Sequence, residues 1–375
     1  MAEYLTNTVD LTAVANAIRE KGGTSEQLAC PDGFVAAIQA IQTGVPLQIA
    51  VTTNAGATVT ATKGSKTVSG TADTSGHCTL TVDEAGTWTI TAATASTTKT
   101  TDVVVGISNV DLVLADSVLN NNSWETIKKV SDAGQGENYW SIGDRKAVTL
   151  NGIVGHLPLF NATIYAFIIG FNHNASVEGT NRIHFRLGKT ALSGGTDVAL
   201  CDGKYNSKVS ETGYFSMNSS GTNSGGWNSS QMRTKICGTS LSSYSGTIIA
   251  VIPAALRAVL KSVTKYTDNT GGGSTAASAV TATTDYFFLL SEYEVFGSIS
   301  YANSNESSKQ AQYAYYSAGN SKIKYKHDRT STDVLWWLRS LNARNSYRFA
   351  RVSADGTADY LNANYSVGFA PGFCV

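Results

Sequence analysis

Tyr347, Arg348, Arg351, Ser353, Asp355, Asp359, Tyr360, Asn362, Asn364 and Tyr365 crowd towards the end of a 375-residue chain, with Thr357 and Leu361 between them. Tyrosine supplies rigid contact area, while Arg, Asn, Ser and Asp supply hydrogen bonds and charge. Together these types are the vocabulary of adaptable binding surfaces. Small or apolar residues punctuate the run at Phe349, Val352, Gly356, Ala358 and Ala363. No helical period fits it, and strict alternation fits only in pieces. Trp336 and Trp337 before it and Phe373 after it can bury large areas and pin its ends. Gly356, Gly368 and Gly372 permit backbone that other residues resist. The expectation is a ligand-contact surface held on a fixed frame, with the residues of mixed chemistry as the ligand-binding set. A solvated β-hairpin with ordinary surface residues is the alternative.

Catalytic chemistry has little to work with. The chain has no G-x-S-x-G, no phosphate-cradling G-x-x-x-x-G-K and no H-E-x-x-H. Glu292 and Glu294 stand two apart, and paired carboxylates can do acid–base work. With Tyr293 and Phe296 around them, a structural or capping role is the better reading. His156, His173 and His184 are spaced unlike any common metal site, and His173, between Asn172 and Asn174, reads as a turn residue. Calcium needs clustered oxygen ligands. The segment after Trp337 offers only Asp355 and Asp359 as acids, so no metal and no cofactor is expected.

Hydrophobic residues make up 42% of the chain and charged residues only 15%, which predicts a folded protein with a Ser/Thr/Asn/Gly surface. Lys plus Arg number 28, as do Asp plus Glu, so net charge names no partner class and gives no sign of nucleic-acid binding. Locally the balance tips. Lys322, Lys324, Lys326, Arg329, Arg339, Arg344, Arg348 and Arg351 face only Asp328 and Asp333 in their stretch. Such an excess favours an anionic ligand, an acidic glycan or teichoic acid, or is a solvated and partly paired face. The five cysteines, Cys30, Cys78, Cys201, Cys237 and Cys374, form no C-x-x-C and read as reduced thiols, with a Cys201–Cys237 bridge left open. The start has neither a basic n-region nor an apolar h-region, and no run is long enough to span a membrane. Synthesis in a cytoplasm without a signal peptide or membrane insertion is therefore expected.

Several elements must position the C-terminal surface. Asp10 can cap a helix with Leu11, Val14, Ala15 and Ile18 on one face, and Pro31-Asp32 opens a second helix with Phe34, Ile38 and Ile41. Two helices this short need a partner or copies of themselves. From residue 46 to about 106, Thr, Val and Ala alternate, with turns at Asn54-Ala55-Gly56, Lys63-Gly64-Ser65, Asp73-Thr74-Ser75-Gly76 and Glu84-Ala85-Gly86. This spacing predicts a small β-sandwich with Trp88 in its core. A linker is expected over 107–122. Beyond it, a helix begins at Trp124, strands fall at Ala147–Gly152, Ala166–Phe171, Arg182–Phe185 and Tyr286–Leu290, and a helix spans Ala254–Val263.

Three resemblances enter on named residues. Val14-Ala15-Asn16-Ala17-Ile18-Arg19, Lys21-Gly22-Gly23-Thr24 and Pro31-Asp32-Gly33-Phe34 are similar to N-terminal segments of phage tail-tip and tail-fibre proteins. Residues 46–106 resemble Ig-like spacer modules. The remainder resembles the variable proteins of diversity-generating retroelements, through Trp140-Ser141-Ile142-Gly143-Asp144, Gly170-Phe171-Asn172-His173-Asn174, Gly226-Trp227-Asn228, Lys265-Tyr266-Thr267-Asp268-Asn269, Ser291-Glu292-Tyr293-Glu294-Val295-Phe296-Gly297 and Trp336-Trp337-Leu338-Arg339-Ser340. It departs from that pattern at Gly368-Phe369-Ala370, where Val usually follows the Gly. The resemblance implies a C-type-lectin-like fold and a variable segment at about 340–375. In that segment Phe349, Val352, Gly356, Ala358, Ala363 and Pro371 are fixed and the intervening residues rewritten. The same fold hosts formylglycine-generating enzymes, but these need reactive cysteines that Cys374 alone does not supply.

The expected organisation is multidomain: a short N-terminal α-helical segment (1–45), an all-β Ig-like sandwich (46–106), a linker (107–122) and an α+β C-type-lectin-like domain (123–375). The expected function is that of a non-enzymatic receptor-binding protein on a phage or prophage tail. It would contact a bacterial cell-surface protein or glycan, bind other tail or baseplate subunits through residues 1–45, and form a homo-oligomer, for which a trimer suits a tail fibre. The alternatives are a non-diversified structural or adhesive protein and, behind it, an enzyme acting on surface polysaccharide.

Overall fold

The computed structural model describes residues 8–22, 47–95, 98–105, 110–113 and 115–375. The chain is multidomain and β-rich, and it divides into two compact units, Met1–Asp116 and Ser117–Val375.

The first unit opens with a helix, Thr8–Gly22. It begins at Thr8, ahead of Asp10, which therefore lies inside the first turn. Ala15 and Ile18 are buried, but Val14 is 48% exposed, so the expected apolar face is only partly covered. The second expected helix lies outside the described residues. Seven strands follow: β1 (Leu47–Thr52), β2 (Thr58–Lys63), β3 (Lys66–Thr71), β4 (His77–Val82), β5 (Gly86–Ala93), β6 (Thr98–Val105) and β7 (Val110–Val113). They form two sheets, β4–β1–β7 and β3–β2–β5–β6. Alternation in the sequence becomes alternation of faces. In β5, Trp88, Ile90 and Ala92 are buried between more exposed threonines. They join Ile49 and Val51 of β1, Val59 and Ala61 of β2, and Leu80 and Val82 of β4 in one core. Trp88 is fully buried, and its indole donates to Glu84 O at 3.1 Å. Its loss to alanine would cost about 3–5 kcal/mol. Part of the expected linker is structured, because Val110–Val113 pairs in parallel with β1.

The second unit is built on a five-stranded sheet of order β15–β22–β10–β9–β8, all neighbours antiparallel. These strands are β8 (Arg145–Val154), β9 (Leu157–Phe171), β10 (Ile183–Lys189), β15 (Phe287–Phe288) and β22 (Gly372–Cys374). The C-terminal strand thus lies inside the sheet. Its Phe373 stacks on Phe185 of β10 at 5.3 Å and meets Trp124, from the helix Trp124–Asp132, edge-on at 6.1 Å. Ser123 caps that helix by accepting from Thr126 N. Asn120, within the expected linker, accepts from Ala147 N through Oδ1 at 2.9 Å and so holds onto β8.

The helix expected over Ala254–Val263 is a single turn, Ala254–Arg257. Lys261 N donates to Cys374 O, and the β-branched run from Val263 pairs instead as β13 (Val263–Asp268) with β14 (Val280–Asp285). The strand expected over Tyr286–Leu290 narrows to β15. Shorter pieces complete the unit: β11 (Val198–Ala199), β12 (Ser207–Lys208), β16 (Lys324–Lys326), β17 (Arg329–Val334), β18 (Trp336–Leu341), β19 (Arg348–Val352), β20 (Ala358–Asn362) and β21 (Tyr365–Ser366). Cys78, Cys201, Cys237 and Cys374 are buried free thiols, so no Cys201–Cys237 bridge forms. Among the described residues no helix is long and apolar enough to cross a membrane.

Candidate functional site

β18, β19 and β20 form a three-stranded antiparallel sheet that carries most of the residues singled out above. β18 is buried along its whole length and anchors it. Trp336 Nε1 donates to Lys322 O and Trp337 Nε1 to Phe215 O, both at 2.9 Å, so each indole satisfies its donor inside the core. Arg339 is fully buried. It grips Glu294 with both arms, with Nη2 to Oε1 at 2.8 Å, and adds bonds to Thr267 Oγ1 and Leu289 O. Burial alone would raise the Glu294 carboxyl, but Arg339 and Lys265 overcome it and hold the pKa well below the usual range.

Glu294 also closes the capping box of the helix Glu292–Phe296 with Ser291. Glu292 accepts backbone N–H groups of Ser300, Tyr301 and Ala302. Both carboxylates are therefore committed to holding structure, and both lie on this helix. Lys265 Nζ reaches Glu178 Oε2 at 2.7 Å, Glu294 Oε1 at 3.0 Å and Tyr313 Oη at 2.8 Å. Among the described residues, His173, Glu178 and Glu294 form one cluster of metal-ligand type, their ligand atoms within 4.8 Å of one another. The Lys265 ammonium already occupies the cationic position between its two carboxylates. His173 is buried and stacked on Tyr313, between Asn172 and Asn174, which both take the left-handed backbone of a turn.

The β19–β20 hairpin turns through Ser353–Thr357. Ser353 N donates to Thr357 O, and Asp355 Oδ1 accepts Thr357 N at 3.0 Å and Thr357 Oγ1 at 2.7 Å, which lowers the Asp355 pKa. Gly356 takes φ +85°, a value that a side chain would strain. Facing residues across the hairpin are Arg348 and Asn362, Phe349 and Leu361, Ala350 and Tyr360, and Arg351 and Asp359.

This register divides the expected ligand-binding residues among four places. Tyr347, Arg348, Tyr360 and Asn362 come together. The Arg348 guanidinium lies 4.6 Å from the Tyr360 ring centroid and 5.1 Å from that of Tyr347, and Nε donates to Asn362 Oδ1 at 3.2 Å. Arg351, Ser353 and Asp359 make a second group: Arg351 Nη2 pairs with Asp359 Oδ2 at 2.6 Å, and Ser353 Oγ donates to the same oxygen. Leu361, opposite Phe349, falls with these rather than with Tyr360. Asp355 and Thr357 occupy the tip. Asn364 and Tyr365 lie beyond the hairpin, where β21 pairs with β12 and Lys208 Nζ stands 5.9 Å over the Tyr365 ring.

None of these residues is buried, and Tyr347, Asp355 and Thr357 are exposed. The punctuating Phe349, Val352, Ala363 and Pro371 are all buried, whereas Gly356 and Ala358 are partly open. Tyr301 joins the first group, its ring edge-on to Tyr360 at 4.9 Å. Nothing near it in sequence points to the hairpin, and only the fold brings it there. The eight basic residues of the 321–351 stretch do not share one face, since Lys324 and Arg339 are buried.

No curated protein matches the chain. A family profile described as a domain of unknown function (DUF6273) matches residues 206–375, a span that runs from β12 to the C-terminal strand and contains the whole hairpin.

Proposed function

We propose that the chain is a receptor-binding protein of a phage or prophage tail whose hairpin surface contacts a bacterial cell-surface protein or glycan. In this reading residues 123–375 are a C-type-lectin-like domain and residues 46–106 an Ig-like spacer. The N-terminal segment joins other tail subunits or further copies of the chain. The segment at about 340–375 is rewritten by a retroelement. One observation carries the proposal: residues of mixed chemistry stay on the surface while Phe349, Val352, Ala363 and Pro371 are buried beneath them. Changing the first set leaves the packing of the second intact, which a diversified surface requires. Tyr347, Arg348, Tyr360 and Asn362, with Tyr301, make the contact patch. Modest single-site affinity is raised by several copies on one particle. The site binds and does not catalyse, since its acids are paired or tied to the turn.

Neighbouring DNA tests the diversification. A near copy of the segment encoding residues 340–375, differing at adenines and lying beside a reverse transcriptase gene, is the expected finding. Its absence would reduce the surface to a fixed adhesin. Binding of the full chain to intact bacteria, lost on Y347A/Y360A with the melting temperature unchanged, tests the patch. Binding that survives the double substitution would place the receptor site elsewhere.

A further inference from the structure

A cavity of about 220 Å³ lies between the β8–β9 pair and the parallel pair β11–β16. Its wall is mostly aliphatic: Leu150, Leu159, Ala162, Ile164, Val198 and Leu200. Leu159 and Ala162 are three apart and would face opposite sides of a regular strand. Leu150 stands opposite Ala162 and Gly152 opposite Leu159, so β9 carries one residue more than β8 over this interval. Asn161 absorbs the extra residue with φ +52°, and both neighbouring side chains meet the cavity. Ala162 and Thr163 keep part of their surface in solvent, so the mouth opens there.

Lys189, Thr190, Thr163 and His327 complete the lining, and the first three are already engaged. Lys189 Nζ pairs with Asp197 and donates to Tyr315 Oη at 3.0 Å. Thr190 Oγ1 accepts from Thr196 N at 2.8 Å, and Thr163 Oγ1 lies 3.5 Å from Thr149 Oγ1 at the rim. His327 differs. Its backbone N donates to Ala199 O at 3.1 Å and its Nδ1 accepts from Cys201 N at 3.2 Å, which fixes the ring against β11. Burial lowers its pKa despite Asp328 nearby, so the ring is neutral at neutral pH. A neutral imidazole whose Nδ1 accepts carries its hydrogen on Nε2. Among the described residues the bond to Cys201 N is the one hydrogen bond of this ring, so the Nε2–H remains for a ligand. The site offers one directed donor on an otherwise aliphatic wall.

We propose that this cavity binds a small neutral molecule made of one apolar ring and one acceptor oxygen, of the aryl ketone class, with the ring on the aliphatic wall and the oxygen on His327 Nε2–H. An apolar cavity of about 150 Å³ is enough to bind benzene, so this one has room for a single substituted ring. A ring bearing a carboxylate is disfavoured, because the Lys189 charge is already met by Asp197. A free sugar is disfavoured too, because its hydroxyls would find too few partners among aliphatic side chains. None of the lining residues belongs to the β19–β20 surface, so the proposal does not rest on the receptor-binding reading.

Calorimetric titration and thermal melting of the full chain test it, with acetophenone and ethylbenzene as probes of similar shape. Both should bind and raise the melting temperature. Ala162→Leu narrows the cavity and keeps every donor. It should weaken both probes by about tenfold or more and move the unliganded melting temperature little, because Ala162 is only half-buried. His327→Phe keeps a ring and removes the Nε2–H. The ratio of acetophenone to ethylbenzene affinity should then fall by about threefold to tenfold, the loss of one neutral hydrogen bond. Taking the ratio cancels the different hydrophobicity of the two probes. Should His327→Phe fail to fold, imidazole nitrogen NMR of the wild type reads the same bond: acetophenone should move the Nε2–H signal and ethylbenzene should not. Absence of heat and of melting shift with both probes would overturn the proposal. So would an Ala162→Leu variant that binds like wild type, a ratio unchanged in His327→Phe, or an Nε2–H signal that ignores acetophenone. Bacterial-cell binding through the β19–β20 hairpin should be unaffected by Ala162→Leu, so this site and the hairpin surface can fail separately.

Discussion

Arg348 lies over Tyr360 across the β19–β20 hairpin, its guanidinium carbon 4.6 Å from the ring centroid, while its Nε donates to Asn362 Oδ1. Three side chains from two strands thus fix one another before any ligand arrives, which lowers the ordering cost of binding. Arg348→Ala should change folding stability by no more than about 1 kcal/mol, since the group is half-exposed and such contacts are weak in water. Binding to bacterial cells should fall about tenfold or more, as expected when a preorganised Arg is removed from an interface. Arg348→Lys keeps the charge but loses the planar fork and should fall between the two. Urea melts beside a cell-binding assay separate these effects, and a stability loss matching the binding loss would assign Arg348 to the scaffold.

Arg351 and Asp359 face each other three register steps from Arg348 and Asn362 and pair at 2.6 Å. A cation and an acid that neutralise each other have less to offer a receptor than Arg348 does. Asp359→Asn should cost at most about 1 kcal/mol of stability, because the pair is partly exposed. It should weaken cell binding less than Arg348→Ala does. The reverse order of the two variants would move the contact surface to the other side of the hairpin.

Buried pairs behave differently. Arg339 and Glu294 are both fully enclosed and joined by two bonds, and removing one partner leaves a charge without solvent. Arg339→Met should destabilise the second unit by about 3–5 kcal/mol, read as a lower urea midpoint. Lys265 still reaches Glu294, so the loss should fall short of complete unfolding. A change under 1 kcal/mol would mean that Lys265 alone suffices for Glu294.

These contrasts mark where the sequence could be read and where it could not. Alternation around Trp88 is legible because β5 buries one face only, so a period of two survives in the residue types. The hairpin resists such a reading because Phe349 and Ala350, neighbours on opposite faces, are both buried while Arg348 and Arg351 are both half-exposed. The residues proposed for binding stand out by type, but their division into four groups depends on the Arg348–Asn362 register, which residue types alone do not fix. Glu294 and Arg339 lie far apart in sequence, and nothing local says that they meet. Lys324 read as part of a solvated, partly paired basic face, because full burial of a lysine runs against composition rules. Val263 looked like the end of a helix because its pairing with Asp285 lies outside any local window.

Buried groups with opposed effects contribute to acid stability. Burial pushes His173 down to about 3, with Lys265 adding to the shift, and pushes His184 well below its ordinary 6.5. Between 6.5 and about 3 the unfolded chain binds the protons that folded His173 refuses, so this contribution is fully present above 6.5 and is lost as pH falls. Burial raises Glu178 and Glu306 to about 7 from 4.5, so across that interval the folded state holds the extra protons and stability falls as pH rises. Over the shared range, about 4.5 to 6.5, the two pairs offset each other. Below it the histidines and Glu294, with its depressed pKa, still titrate differently in the two states, as do acids such as Asp197 and Asp355 whose folded pKa is also lowered, and all of these effects lower stability on acidification. The wild-type curve should therefore be flat over the shared range and then drop steeply. His173→Phe keeps an aromatic partner for Tyr313, which stacks at 3.6 Å, and removes one of the two opposing histidines. Its stability should fall as pH rises through the range where the wild type is flat, and near pH 3 it should exceed wild type by a few kcal/mol, on the order of the removed linkage. Urea melts of both proteins from acid to neutral pH give the two curves. Parallel curves would mean that His173 is protonated in the folded state and that its burial exerts no titratable strain.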